Sequence, residues 1–319
     1  MDVVLTLLWG LPGDPPLATV ARELAALDAP VHVLDQREVL STFIDTGVGT
    51  VRLGSSEVEL DEVGAVYLRP YDVNRLPRLA RLRTDDGARR HIAAVEQAMY
   101  AWLDTTPAFL VNPIWASATN ASKPWQLARV REAGFAVPET LVTTDPRTAR
   151  EFIHQHRDVL FKSVSGIRSR VRRVTPADLD RLDDVRTCPT QFQRRVPGTD
   201  VRVHVVGREV FPTRVTCDAD DYRYAVQQGK EPATLTPTDL PLAVRRRCVA
   251  LAQLLALPVA GVDLRVTPDG EWYCFEVNPS PAFTYYEHHT GQQIARSIAA
   301  LLVSGALARA PLAGRARQA

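Results

Sequence analysis

Toward its C-terminal end the chain reads GVDLRVTPDGEWYCFEVNP, two strand-like runs, Val259 to Val266 and Glu271 to Val277, folded back across Thr267-Pro268-Asp269-Gly270. This hairpin is the feature that most restricts what the chain can become. Side chains along a strand alternate between faces, so Glu276 and Asn278 share one face while Phe275 and Val277 take the other. A four-residue turn would set Val266 opposite Glu271 and Asp263 opposite Cys274. Asp263 is then a diagonal neighbour of Glu276, about 7 to 8 Å away between backbones. A single acidic residue at a strand end is ordinarily just solvated. Asp263, Glu276 and Asn278 together, on a face whose reverse is apolar, are hard oxygen donors of the kind that suits Mg2+.

Magnesium seldom sits in an all-protein cage and usually bridges a few carboxylates to substrate phosphates, so phosphate-neutralising cations should occur elsewhere. Here composition matters. Lys123, Lys162 and Lys230 are the only lysines among 38 basic residues, so arginine serves wherever a generic positive charge will do. A lysine kept against that bias suits a compact ammonium on a phosphate oxygen. Lys162 ends the strand candidate Val159 to Ser163 and precedes SVSGIRSRVRR, where Ser165 and Gly166 would let backbone N–H groups approach phosphate. Lys123 opens a helix expected to run to Ala133. Either lysine alone could be a surface residue; both, set against an acidic face, predict a triphosphate site.

The first third alternates strand and helix: Val3 to Leu8, a helix over Pro16 to Leu27, then Val31 to Leu34 and Val63 to Leu68. That pattern predicts a parallel, Rossmann-like unit to about residue 117. WGLPGDPP stands where a GxGxxG turn would be, which argues against a dinucleotide oxidoreductase. Asp145-Pro146 starts a helix ending near His156, with Asp145 as N-cap. Gln191 to Val196 and Val201 to Val206 are strand candidates, Gly207-Arg208 a two-residue turn, and Gln292 to Leu307 a final helix. Asp200, Arg202 and His204 share one strand face, and Val201, Val203 and Val205 the other.

Lys and Arg total 38 against 37 Asp and Glu, a net charge of +1, so no overall field favours nucleic acid or an acidic membrane. No apolar run reaches membrane-spanning length and no basic segment precedes the first apolar stretch, so a cytoplasmic location is expected. Cys188, Cys217, Cys248 and Cys274 form no CxxC pair and are read as buried, reduced thiols. The residues do not set an oligomeric state; a homodimer is the commonest of the symmetric assemblies open to the chain.

Taken in order, Lys123, Lys162 with its loop, QFQRRVPGTDVRVHVVG and GVDLRVTPDGEWYCFEVNPSP resemble the ATP-grasp superfamily. SKPWQL, VPETLVTTDP and GTDVRVHVVG look most like its graspetide (microviridin-type) and RimK-like ligases. The resemblance covers about residues 112 to 303. It implies an α/β (α+β) ATP-grasp fold behind a Rossmann-like pre-ATP-grasp domain, divided as 1–117, 118–190, 191–307 and a tail, 308–319. It also implies ATP and Mg2+ as cofactors and an ADP-forming carboxylate ligase acting through an acylphosphate. By that resemblance Lys123, Lys162, Ser165 and Gly166 would hold phosphates, and Gln193, Arg194, Arg195 and Val196 would meet the adenine. Asp200 would bind ribose; Arg202 would hold the activated carboxylate or the transferred phosphate and, with Lys162, be catalytic; Asp263, Glu276 and Asn278 would hold magnesium. Arg194 departs from the acidic residue usual after the hinge glutamine, which leaves backbone groups for the base. Arg69, Arg168, Arg170, Arg214 and His288 are candidate substrate contacts. The partner implied is a peptide, such as a precursor peptide, or a small carboxylate such as a free amino acid. A non-catalytic nucleotide-binding module would keep the lysines but would not need the acidic trio.

Overall fold

The structure, a computed structural model, describes residues 4–45, 49–53, 56–80, 82, 86–118, 122–164, 171–217, 229 and 231–309. The chain runs through β1 (Leu5–Gly10), α1 (Pro15–Ala26) and β2 (Val31–Asp35) into a small antiparallel sheet of β3 (Thr42–Asp45), β4 (Thr50–Leu53) and β5 (Ser56–Glu59). It returns as β6 (Val63–Leu68), followed by α2 (Pro77–Ala80), α3 (Asp86–Thr105) and β7 (Phe109–Val111). Strands β2-β1-β6-β7 form a parallel sheet in that order. Every residue of β6 is buried, as expected for a parallel strand covered on both faces. Leu8, Tyr67 and Val111 on one face pack against α1, and Leu7, Trp9 and Val66 on the other meet Met99 and Trp102 of α3. Helix α1 opens on two prolines, one residue before its expected start; proline fits a first helical turn, where its missing N–H has no partner to lose.

Next come α4 (Ile114–Ser117), α5 (Lys123–Glu132), β8 (Thr140–Thr143), α6 (Pro146–His156), β9 (Val159–Ser163), β10 (Arg172–Arg173), α7 (Pro176–Leu179) and β11 (Thr190–Arg194). Strands β10-β9-β11-β8 make an antiparallel sheet. Asp145 caps α6, accepting the N–H groups of Arg147 and Thr148. The core under this sheet is its own: Ala149, Ile153, Val159, Leu182, Val185 and Phe192.

The last part contains β12 (Thr199–Val206), β13 (Glu209–Thr216), β14 (Thr234–Pro237), α8 (Leu242–Leu254), β15 (Val259–Val266), β16 (Trp272–Asn278), α9 (Thr284–Thr290) and α10 (Ile294–Arg309). Its antiparallel sheet has the order β14-β13-β12-β15-β16. Gly207-Arg208 turns β12 into β13, with Gly207 at φ 57°, a left-handed conformation glycine adopts without strain. The Val201, Val203 and Val205 face packs on Val244, Cys248 and Leu251 of α8 and on Val130 of α5. Helix α10 begins two residues later than expected, and the Gln292 side chain before it accepts from Thr213 Oγ1 (3.0 Å) and donates to the Pro212 carbonyl (3.1 Å). Its Ile294, Ile298 and Leu302 share one core with Leu8 and Tyr67 of the parallel sheet and with Val206 and Val259 of the five-stranded sheet. Among the described residues no helix is long and apolar enough to cross a membrane. Cys248 and Cys274 are buried as expected; Cys188 is exposed and Cys217 half-buried, which corrects that reading for two of the thiols.

Candidate active site

The hairpin forms, but its register differs from the expected one. Thr267 N–H donates to the Glu271 carbonyl (2.9 Å) and Glu271 N–H to Thr267 Oγ1 (2.9 Å), so Glu271 belongs to the turn and Val266 pairs with Trp272 rather than Glu271. Leu264 faces Cys274; the register then shifts, and Asp263 stands directly opposite Glu276, not Cys274, with Gly261 opposite Asn278. An extra residue on one strand is a β-bulge, which re-aims side chains. Here it brings Phe275 to the Glu276 side, correcting the expectation that Phe275 lies on the apolar reverse. Arg265 lies over the Phe275 ring, 5.3 Å from its centroid.

Because directly opposed residues in an antiparallel pair point to one face, Thr213, Arg202, Asp263 and Glu276 form a row across β13, β12, β15 and β16. Arg202 Nη1 donates to Asp263 Oδ1 at 2.7 Å, and Lys123 Nζ to Glu276 Oε1 at 2.5 Å. One step along, Arg265 holds Asp200 through two bonds (2.6 and 2.9 Å) and donates to the Val196 carbonyl (2.8 Å). The facing sheet adds Lys162 and Gln193. Lys162, Gln193, Asp200, Arg202, Asp263, Arg265, Phe275 and Glu276 line a single cleft between the two antiparallel sheets. Lys162, Arg202 and Arg265 balance Asp200, Asp263 and Glu276 among the lining side chains, and Lys123, bonded to Glu276, adds a fourth cation that suits a polyanion.

The remaining predicted residues are placed more variously. Gln193 Nε2 donates to Thr140 Oγ1 (3.0 Å), Arg194 pairs with Glu139 (2.9 Å), and Arg195 with Asp158 (3.4 Å). Asn278 Oδ1 accepts the Ser280 N–H at 2.9 Å, which leaves a second lone pair on that oxygen. Arg69, at the end of β6, bonds Asp14 (2.5 Å) and Ser280 Oγ (2.9 Å), beside a separate cavity that also takes in Arg37, Tyr71 and Ser280. Arg214 is exposed on the sheet face opposite the cleft, paired across from Val201, and His288 is exposed on α9; neither is brought to the Asp263–Glu276 row. Ser165, Gly166, Arg168 and Arg170 lie outside the described residues.

Behind Arg202 lies His204, fully buried, its Nε2 3.5 Å from Arg202 Nε and its ring 4.9 Å from Tyr286. Among the described residues its Nδ1 has no hydrogen-bond partner. Burial first, and the Arg202 charge second, hold its pKa well below the ordinary 6.5. An unfolded chain protonates this histidine near pH 6.5 and the folded one does not, so the unfolded state binds more protons and stability falls as pH drops below about 6.5. His204→Gln is expected to flatten that acid limb by about 1 kcal/mol between pH 7.5 and 5.5. Urea midpoints at the two pH values check this; equal losses in variant and wild type would refute it.

Among the described residues no cluster of three or more His, Cys, Asp or Glu could enclose a metal. Two carboxylates with an amide oxygen fit a hard divalent cation that takes its other ligands from phosphate and water. Reading from sequence missed Arg265, Gly261, Gln126 and Asn112. A glycine within a strand, where a close approach is commonly at hand, was the one available signal. A roomier cavity of about 700 Å³ near Phe109, Trp115 and Leu301 holds no comparable convergence of charge.

The RimK-like ATP-grasp domain family matches residues 121–302, more than half of the chain. A probable alpha-L-glutamate ligase of Alkalilimnicola ehrlichii is 33% identical over 119 residues, 36% of this chain and 38% of that protein. The chain thus spans about two fifths of the length of that curated relative. Among solved structures, the ATP-grasp ligase PsnB complexed with a phosphomimetic variant of its minimal precursor, Mg and ADP is 25% identical. It superposes with TM-score 0.78 over 95% of this chain and 98% of its own. Macrocyclase MdnC of Microcystis aeruginosa, bound with precursor peptide MdnA, shares the fold at 22% identity, TM-score 0.81, over 94% of this chain and 100% of its own.

Proposed function

Because the chain belongs to the RimK-like ATP-grasp family, we propose that it activates a carboxylate with ATP and joins it to an amine or hydroxyl, and that the substrate is a peptide. The carboxylate oxygen attacks the γ-phosphorus and the bond to ADP breaks, giving an acylphosphate. The amine or hydroxyl then attacks the acyl carbon, inorganic phosphate leaves, and the nucleophile's proton passes to solvent. Phosphoryl transfer asks chiefly for positioning and charge neutralisation. One observation carries the reading: Lys162 and the Arg202–Asp263–Glu276 row line the same cleft, with Lys123 seated on Glu276.

In this reading Lys123, Lys162, Ser165 and Gly166 hold phosphates. Gln193 to Val196 meet the base, and Asp200 the ribose. Arg202 steadies charge on the reacting oxygens. Asp263, Glu276 and Asn278 hold magnesium, which when bound neutralises charge on the phosphates. Arg69, with Arg168 and Arg170, meets the substrate. The units are 1–117, 118–190 and 191–307, except that Val130 of α5 packs in the core of the third and Phe192 of β11 in that of the second. A peptide is favoured because PsnB, 25% identical and matched over 98% of its length, was solved with precursor peptide PsnA2, and MdnC, which shares the fold, with precursor peptide MdnA. A free amino acid is the second reading, favoured by the glutamate-ligase relative.

The test supplies Mg2+ and ATP with an acidic peptide carrying Thr, Ser or Lys, or with free glutamate, and follows phosphate release and product mass. Phosphate release with loss of one water from the peptide per new bond is the expected result. Glutamate addition shifts the reading to the second one; bound ATP with no phosphate released under any condition refutes both.

A further inference from the structure

Strand β16 is an edge of the five-stranded sheet, so among the described residues its outer backbone groups have no neighbouring strand of that sheet to bond. Exposed polar backbone of that kind is ordinarily paired elsewhere or left to water. Here other parts of the chain take the place of the missing strand. Ala136 donates its N–H to the Trp272 carbonyl (3.2 Å) and accepts the Cys274 N–H (2.9 Å). Beyond the bulge the partners are side chains. Gln126 on α5 donates Nε2–H to the Val277 carbonyl (2.8 Å) and accepts the Val277 N–H at Oε1 (3.0 Å). Asn112 donates to the Pro279 carbonyl and to that of Val259 (2.7 Å), and Arg69 Nη1 to the Pro281 carbonyl (3.4 Å). Three side chains, one on α5 and one just beyond each of β6 and β7, thus hold alternate carbonyls of residues 277 to 281.

We propose that Gln126 is a positioning residue for the two donors flanking Val277, namely Glu276 and Asn278. It rests on the reading of these residues as metal-holding. A turn of the Val277 peptide planes would swing both donors at once, and Gln126 grips both polar groups of that residue. The grip also ties β16 to α5, whose first residue, Lys123, sits on Glu276. Gln126 is 1% exposed, so its amide has no water to fall back on. Magnesium demands near-ideal octahedral geometry, and loss of a group that orients ligands typically costs 10- to 100-fold in metal affinity.

The experiment titrates Mn2+, read by electron paramagnetic resonance, into the full chain with ADP present. Gln126→Met keeps length and loses both bonds; Gln126→Glu keeps the acceptor and loses the donor. Val130→Ala removes buried volume one turn along the same helix. Expected is a 10- to 100-fold weaker Mn2+ affinity for Gln126→Met and a smaller loss for Gln126→Glu. ADP binding in chelator should change less than about two-fold, and Val130→Ala should leave Mn2+ affinity alone though its unfolding temperature drops. If Gln126→Met does not fold, the Gln126→Glu comparison decides. Unchanged Mn2+ affinity in the folded glutamine variants, or an equal loss in Val130→Ala, overturns the positioning role. Failure of the wild type to hold Mn2+ with ADP overturns the metal reading itself, and this inference with it.

Discussion

Glu276→Gln is expected to lower ATP turnover by at least about 10³-fold, an increase of roughly 4 kcal/mol in the barrier, with the protein still folded. The substitution keeps the side chain's shape and one oxygen but removes the charge that draws Lys123 and, on the proposed reading, a divalent cation. Its structural cost is small. Glu276 is 28% exposed and its ion pair with Lys123 is partly solvated, and pairs of that kind contribute about 1 kcal/mol or less. ADP formed per enzyme, beside a thermal unfolding curve, checks both halves. A variant keeping a tenth of wild-type turnover would remove Glu276 from the machinery.

Gly261→Ala is expected to cut turnover about 100-fold or more by adding one methyl group. Gly261 faces His204 on β12 and Asn278 on β16. A Cβ there would run into the Arg202 guanidinium and lie 2.9 Å from Pro281 Cβ. Arg202 must swing aside, and its 2.7 Å bond to Asp263 is lost. Overpacking of this kind typically costs about 1 to 3 kcal/mol of stability, far less than loss of the fold. If the methyl acts through Arg202, Gly261→Ala combined with Arg202→Met loses no more activity than Arg202→Met alone, because residues sharing one interaction are non-additive. Multiplying losses in the double variant would contradict that route.

What the sequence discloses here is local. The Asp145 cap and the Gly207-Arg208 turn were legible because each depends on residues a few positions apart. The bulge at Phe275 was not, since EWYCFEVNP holds no glycine or proline within the strand to mark it and the shift is decided by pairing with β15. Helix α3 carried a usable signal, with Ile92, Val95, Met99, Trp102 and Leu103 at three- and four-residue spacing, as did α8 with Val244, Cys248, Leu251 and Ala252. Gln126 and Asn112 gave none. Their partners lie 151 and 147 residues away, and a lone amide in a helix or after a strand looks like any surface residue.

The core beneath the β10-β9-β11-β8 sheet draws its described members, including those partly buried, from residues 141 to 192 alone, whereas α10 welds the parallel sheet and the five-stranded sheet into one mass. Mechanically, the molecule is a jaw on an anvil. Lys123 is bolted to the anvil beside Glu276, and Lys162 rides on the jaw. Among the described residues no core cluster spans jaw and anvil, so widening the gap would strain polar links such as Arg194 to the Tyr273 hydroxyl, 3.4 Å apart, rather than open a shared apolar interior.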